Sequence, residues 1–349
     1  MDKMIKRIFG RAPTRVCDVG GWTDTWFSGS GAVFHIAVTP YVEVEIRVFD
    51  QRGPGGRRID LHLENYHDRY SIDPDRIEYG KHPLIEAALD SLPLPAGVDL
   101  DIDIFSAAPA GASVGTSAAV CVTLLGALAA LNGEWPGPYE VAALAHRVET
   151  DKLGWQSGIQ DQLCSAFGGI NYIAMTAYPQ AEVFQLCLPD RLRWDLENRL
   201  MLVYIGTPHN SSEVHQRVIA DLGGHAGSDP RLLSLRQLAG QAREAVQNGR
   251  LQRLGEIMTE SSEVQHALHP ALVGEKSREI MDIARSYRAW GCKVNGAGGD
   301  GGSITILGDG RGQKKRELLA DLEKRGYRSI PLALSPRGLQ VWSEPANGA

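Results

Sequence analysis

Residues 109–118 read Pro109-Ala-Gly111-Ala-Ser113-Val-Gly115-Thr116-Ser117-Ala118, a run of small residues between two segments of opposite character. Upstream, Val-Asp-Leu-Asp-Ile-Asp-Ile-Phe-Ser at 98–106 alternates apolar side chains with aspartate, the period of a strand with one wet face. Downstream, 118–131 is apolar apart from Thr123 and Gly126, which predicts a buried helix too short to cross a bilayer. In the order strand, small-residue loop, helix start, successive backbone N–H groups converge and the helix adds its positive end, so an anion is bound without a cationic side chain. Phosphate is the natural candidate, although an ordinary Ser or Thr N-cap accounts for the same residues. No Lys follows the last glycine, so the Walker A pattern fails.

Outward from this loop, 32–49 reads as strands, 51–58 as a hairpin loop and 59–65 as the returning strand. Helical patterns cover 81–92 and 138–152, and a further helix follows Gly158 through Ala166. The continuous apolar run Leu-Met-Leu-Val-Tyr-Ile-Gly at 200–206 predicts a strand lying centrally in a sheet. From 212 to 290 nearly everything has helical period, notably 230–248 and 273–290, before Gly-Ser-Ile-Thr-Ile-Leu and a β-rich segment at 332–342. This pattern predicts an α+β protein in two lobes that change over near 195–215.

The chain has 39 glycines in 349 residues, above average usage, and two further clusters stand out. In Arg15-Val-Cys-Asp-Val-Gly20-Gly21-Trp22-Thr23-Asp24, a strand runs into a Gly-Gly turn carrying Asp24. A carboxylate so placed suits the hydroxyls of a polyol, and equally a solvated hairpin turn. Lys293-Val-Asn-Gly296-Ala-Gly298-Gly299-Asp300-Gly-Gly302 formally contains Gly-x-Gly-x-x-Gly, but a strand follows it rather than a helix, which argues against a dinucleotide fingerprint. Between these clusters, Asp161 sits early in a helix between two amides, either as a carboxylate stabilised by the helix dipole or as a positioned base.

Composition bounds the rest. With 43% hydrophobic and 22% charged residues the chain is globular in type, and a net charge of -6 provides no basic surface for a nucleic acid. Arg311 to Arg316 reads as a solvated helix start. Five scattered cysteines, without a Cys-x-x-Cys pair, fit a reduced cytoplasmic compartment, and neither a signal peptide nor a membrane span is expected. Trp22, Trp26 and Trp155 fit sugar stacking and core packing equally, while His266 and His269 read as a surface pair.

Taken together and in order, these segments resemble the GHMP kinase superfamily, and the Gly-Gly-Trp-Thr-Asp-Thr and Gly-Ile-Gln-Asp-Gln stretches resemble its fucokinase and heptose-phosphate kinase branch. The resemblance implies a two-lobed fold, with a ribosomal-protein-like α/β N-terminal domain over 1–200 carrying the phosphate loop. A ferredoxin-like α+β domain is implied over 201–349. It also implies an ATP-dependent kinase that phosphorylates a sugar, at the anomeric C1 hydroxyl, with Mg²⁺. Pro109, Gly111, Ser113, Gly115, Thr116, Ser117 and Ala118 would then hold the ATP phosphates, and Ser117 with Glu149 the metal. Asp161 is implied as catalytic base and Arg15 as the arginine beside the transferred phosphoryl group. Gly21, Trp22, Thr23, Asp24, Gly298 and Gly299 would bind substrate. Sugar and ATP are the implied partners, and a homodimer is left open. The alternatives are a kinase of a non-sugar alcohol and a weakly catalytic nucleotide or sugar sensor.

Three departures stand against the family pattern. Ser113-Val-Gly115 replaces the usual Gly-Leu-Gly, Asp300 stands where a small residue is usual, and His209-Asn210 stands where relatives acting on phosphorylated sugars carry a basic residue.

Overall fold

The computed structural model describes residues 4–51, 57–206, 211–299 and 301–346. In chain order the strands are β1 Met4–Val19, β2 Gly31–Asp50, β3 Ile59–Leu63, β4 Asp68–Ile72, β5 Val98–Ser106, β6 Ile170–Ala177, β7 Gln180–Gln185, β8 Leu200–Tyr204, β9 Gly291–Val294, β10 Ser303–Leu307, β11 Arg328–Ile330 and β12 Gln340–Pro345. The helices are α1 Pro83–Leu89, α2 Thr116–Leu131, α3 Pro138–Arg147, α4 Gln160–Phe167, α5 Asp190–Arg199, α6 Ser211–Leu222, α7 Pro230–Gln247, α8 Leu251–Leu268, α9 Glu275–Ser286 and α10 Gly312–Lys324.

Two sheets organise two lobes. The first runs β12-β1-β2-β5-β3-β4, with β6 and β7 joined to the other stretch of the long β2; the second runs β11-β8-β10-β9. The alternating segment at 98–106 becomes β5, with Leu100, Ile102 and Ile104 facing the core, while β8 is buried along its whole length between β10 and β11. α2 is buried on almost every side against α1, α3, α4 and the first sheet. Its Gly126, unfavourable by about 1 kcal/mol in a helix interior, has a packing reason: a Cβ there would come within 2.5 Å of Leu339 Cδ2. The lobes also share a core, in which Val16, Val19, Phe34 and Ile36 of the first sheet pack with Leu238, Ala239 and Ala242 of α7 and Leu202 of β8.

Three expectations need correction. β3 does not return along β2; it pairs parallel with β5 and antiparallel with β4. The edge of β2 from Val42 to Asp50 is occupied by β5, whose apolar residues make it the better-buried neighbour. The helix expected over 138–152 ends at Arg147, and a π-helical turn follows at Val148–Lys152, a wider turn of the kind that occurs at functional sites. The helical pattern over 81–92 forms only Pro83–Leu89, started by Pro at its first position. β6 and β7 form a hairpin joined through Tyr178-Pro179, without the Asn-Gly or Asp-Gly pair that marks a hairpin in sequence.

β12 crosses back to pair antiparallel with β1, so the end of the described chain lies in the first sheet. The basic stretch from Arg311 does begin a helix, and Lys315 Nζ donates to the carbonyls of Asn198 and Leu200 at 2.8 Å each, tying α10 to the end of α5.

Candidate active site

The small-residue loop lies between β5 and α2, and its backbone changes hand repeatedly. φ is positive at Gly111 (72°), Ser113 (58°) and Gly115 (75°), but not at the intervening residues. This alternation turns successive N–H groups to one side, the geometry of an anion nest. α2 begins directly after Gly115 with no side-chain cap and no acidic residue in its first turn. The ordinary N-cap reading therefore fails: neither Ser113, Thr116 nor Ser117 caps the helix, and the Thr116 hydroxyl is buried without a hydrogen-bond partner. Ser117 is exposed on the same turn, and Ala118 is buried beneath it. Pro109 accepts from Ala112 N at 3.2 Å, closing the start of the loop.

Arg15 and Asp161 face this helix end. Arg15, on β1, is buried and donates from Nε and Nη2 to the two Asp161 oxygens at 2.8 and 3.3 Å, and from Nη1 to the Ser113 carbonyl at 2.7 Å. Neighbouring Asp161 and Asp18 hold its guanidinium well above the ordinary range despite burial. Gly115 fits in the notch between them, since a Cβ there would lie 3.1 Å from Asp161 Cγ and 3.3 Å from Arg15 Cγ.

The other two glycine clusters meet the same place. Gly21 abuts the Asp18 carbonyl and the Gln160 side chain, while Gly296 and Gly302 are pressed against Ser113; a Cβ on Gly302 would fall 2.6 Å from Ser113 Oγ. Ser113 thus takes the left-handed conformation that a glycine would adopt freely, packed against two glycines that leave it room. Gly298 and Gly299 fold onto Leu272, Gly299 donating to its carbonyl at 3.0 Å.

Asp24 is buried at the start of α4. Its Oδ2 accepts from the N–H groups of Ile159 and Gln160 at 3.0 and 3.1 Å, and its Oδ1 from Gln160 Nε2 at 3.3 Å. Burial pushes its carboxyl up to about 6. The solvated-turn reading is thereby removed; the side chain caps the helix that carries Asp161. Thr23 organises the turn, its hydroxyl donating to the Gly20 carbonyl at 2.7 Å and accepting from Ala32 N at 3.1 Å. Trp22 is packed in an apolar cluster with Leu222, Leu235 and Leu272, whereas Trp26 and Trp155 are half exposed.

Glu149 lies in the π-helical turn, buried, with Oε2 accepting from Ser157 Oγ and from Gln162 Nε2 at 2.9 Å. Burial pushes its carboxyl up to about 7, and both side-chain donors are neutral. A buried carboxylate held only by neutral donors fits a cation ligand. No group of three or more His, Cys, Asp or Glu able to hold a metal occurs among the described residues.

Several contributors lacked an assigned role in the sequence: Asp18, Ser157, Gln160, Gln162 and Lys293. The signal available for Asp18 and Lys293 was a charge inside an apolar strand next to a glycine cluster. Asp300, His209 and Asn210 lie outside the described residues.

Comparison with known proteins gives the family. Residues 83–169 match the GHMP kinases N terminal domain and residues 242–321 the GHMP kinases C terminal domain. The chain is 30% identical to a mevalonate kinase of Pyrococcus horikoshii, over 97% of this chain and 98% of that protein. It is 27% identical to the bifunctional fucokinase/GDP-fucose pyrophosphorylase of Arabidopsis thaliana over 89% of this chain, but spans only 31% of that longer protein. Among solved structures, a D-glycero-D-manno-heptose 1-phosphate kinase of Bacteroides thetaiotaomicron superposes with a TM-score of 0.74 at 22% identity, covering 96% of this chain and 98% of that one, and shows the shared fold. The two lobes are those of a phosphotransferase whose acceptor is an alcohol group. This chain belongs to the GHMP kinases, a family that takes its phosphoryl group from ATP. No helix among the described residues is long and apolar enough to cross a membrane.

Proposed function

We propose that the protein is a Mg²⁺/ATP-dependent sugar kinase that transfers the γ-phosphoryl group to the anomeric C1 hydroxyl of a hexose, deoxyhexose or heptose. The observation that carries this reading is the Arg15–Asp161 pair at 2.8 Å facing the uncapped start of α2 across Gly115. Phosphoryl transfer is mostly positioning and charge neutralisation. The N–H groups of 110–118, in the loop that Pro109 opens, and the first turn of α2 hold the phosphates, and Arg15 neutralises charge on the transferred group. Asp161 accepts or orients the proton of the attacking hydroxyl. Ser117 and Glu149 are the residues that would hold Mg²⁺, which supplies neutralisation of the phosphate oxygens. Asp24 Oδ1 retains one unused lone pair for a sugar hydroxyl, and Gly21, Trp22, Thr23, Gly298 and Gly299 shape the turns around it. The chain divides into lobes at about residue 200, with β12 rejoining the first, and it works in the cytoplasm.

The full-length similarity to a mevalonate kinase favours a second reading, a kinase of a non-sugar alcohol. An ADP-release assay at fixed ATP and Mg²⁺ with hexoses, deoxyhexoses, heptose 7-phosphates and mevalonate separates the two. Turnover confined to mevalonate would sink the sugar reading. On the accepted substrate, Asp161→Asn and Arg15→Ala are each expected to lower kcat by at least about 100-fold while the fold persists; near-native turnover in both would defeat the role assignment.

A further inference from the structure

A second buried charge pair, outside the machinery assigned above, lies behind Arg15. Residues three apart on a regular strand face opposite sides. Between Val16 and Val19, however, the β1 to β2 register is irregular and Cys17 sits at φ 58°, a conformation that side chains other than glycine adopt at a cost. This break brings Asp18 Oδ2 to 3.7 Å from Arg15 Nη1. Asp18 is fully buried, and its Oδ2 accepts from Gly296 N at 2.9 Å while Oδ1 lies 3.6 Å from Lys293 Nζ.

Lys293 is also fully buried, at the end of β9 just before the third glycine cluster. Its ammonium donates to Gln265 Oε1 at 2.9 Å and to the Val294 carbonyl. Gln265 Nε2 in turn donates to the Gly296 carbonyl at 3.0 Å. The chain of contacts closes on itself: Asp18 grips the N–H of Gly296, Gln265 grips its C=O, and Lys293 joins Gln265 to Asp18. Gly296 is the residue whose added Cβ would meet both Ser113 and Arg15 Nη2. The ring therefore connects β1 to β9 and α8, across the junction of the lobes, at the back of the Arg15 side chain.

We propose that Asp18 and Lys293 are positioning residues for phosphoryl transfer: Asp18 anchors Arg15 and the Gly296 turn from the side away from Asp161, and Lys293 offsets the charge that this anchoring carboxylate adds. The balance of charges supports a role beyond folding. Arg15, Lys293, Asp18 and Asp161 sum to zero; without Lys293 the group would carry a net negative charge where an anion has to approach. A buried ion pair kept for stability alone is readily replaced by apolar residues, whereas here each partner also orients a group of the loop.

This inference rests on the roles proposed for Arg15 and Asp161, and its test is arranged to separate the two. Full-length Asp18→Asn, Lys293→Met and the double variant are compared with Asp161→Asn for thermal midpoint, kcat and KM for ATP, on the acceptor that the substrate panel identifies. Asp18→Asn is expected to lower kcat on the order of 100-fold with little change in KM. Either single variant loses thermal stability, because Asp18→Asn leaves buried Lys293 without its anionic partner and Lys293→Met leaves the buried group with a net negative charge; the double variant regains the midpoint but not kcat. Wild-type kcat in the double variant, or a loss in Asp18→Asn confined to KM, overturns the proposal. Native turnover in Asp161→Asn would instead overturn the underlying assignment of the site, whatever Asp18→Asn does.

Discussion

Gly115 illustrates how one missing side chain organises the chemistry. Its φ of 75° strains any side chain, and a Cβ there would press on Asp161 and Arg15 at 3.1–3.3 Å, so the pair would have to give by a few tenths of an ångström to admit a methyl group. Gly115→Ala is expected to lose about 1–2 kcal/mol from the left-handed strain alone and to lower kcat more than it raises KM, because the added atom pushes against the reacting groups. Urea unfolding combined with steady-state kinetics checks both, and native kcat would show that the pair does not depend on the notch. Ser113 makes the complementary point. It stands where the family usually has a glycine, yet the chain holds the left-handed turn with the serine in place, because Gly296 and Gly302 face it.

At the scale of elements, α4 joins the turn at 20–24 to the Arg15–Asp161 pair, the acceptor and catalytic sides of the proposed reaction. Asp24 caps its N-terminus and Asp161 lies in its first turn, so the turn at 20–24 and the carboxylate facing Arg15 move together. Asp24 is held to about 6 by burial, above the ordinary value of 3.8. The folded state therefore binds a proton more readily than the unfolded state between those values. Asp24 lowers stability progressively as pH rises through that window, by on the order of 3 kcal/mol at most. Asp24→Asn, which keeps a cap without the charge, is expected to gain stability relative to wild type between pH 5 and pH 7.5 while losing sugar turnover. Thermal melts of both proteins at the two pH values test the sign; a constant difference would contradict it. The helix itself was legible from the apolar spacing after Gly158, but its cap was not, since Asp24 is more than 130 residues away in the chain.

For the whole molecule, the return of the chain end decides how well the first lobe is closed. Residues 335–340 run directly under the turn from α4 to β6, where a Cβ on Gly338 would stand 2.1 Å from the Ala166 carbonyl oxygen and one on Gly168 would stand 2.1 Å from the Arg337 carbonyl carbon. Gly338→Ala is expected to destabilise by more than about 2 kcal/mol, because two backbones have to separate. Gly240→Ala in α7 is the opposite case, with no atom within 4 Å of the new methyl, and is expected to stabilise by about 0.5–1 kcal/mol. Urea midpoints of the two variants read both signs in one experiment. If the variants fall on the same side of wild type, space rather than propensity is not what distinguishes these glycines.

The sequence by itself determined the periodic features: the half-wet strand at 98–106, the buried helix after it, the central strand at 200–204, the helical second lobe, and the glycine loops with Asp24, Arg15 and Asp161. Each is written locally, as a period of two or 3.6 or as a small residue where the backbone must turn. Only the tertiary structure decided which strand borders β2, how β12 returns to β1, that Asp24 caps α4, and that Asp18 and Lys293 stand behind Arg15. Those choices rest on competition for one sheet edge, on a local break in β1 and on the pairing of buried charges hundreds of residues apart, none of which leaves a pattern in neighbouring letters.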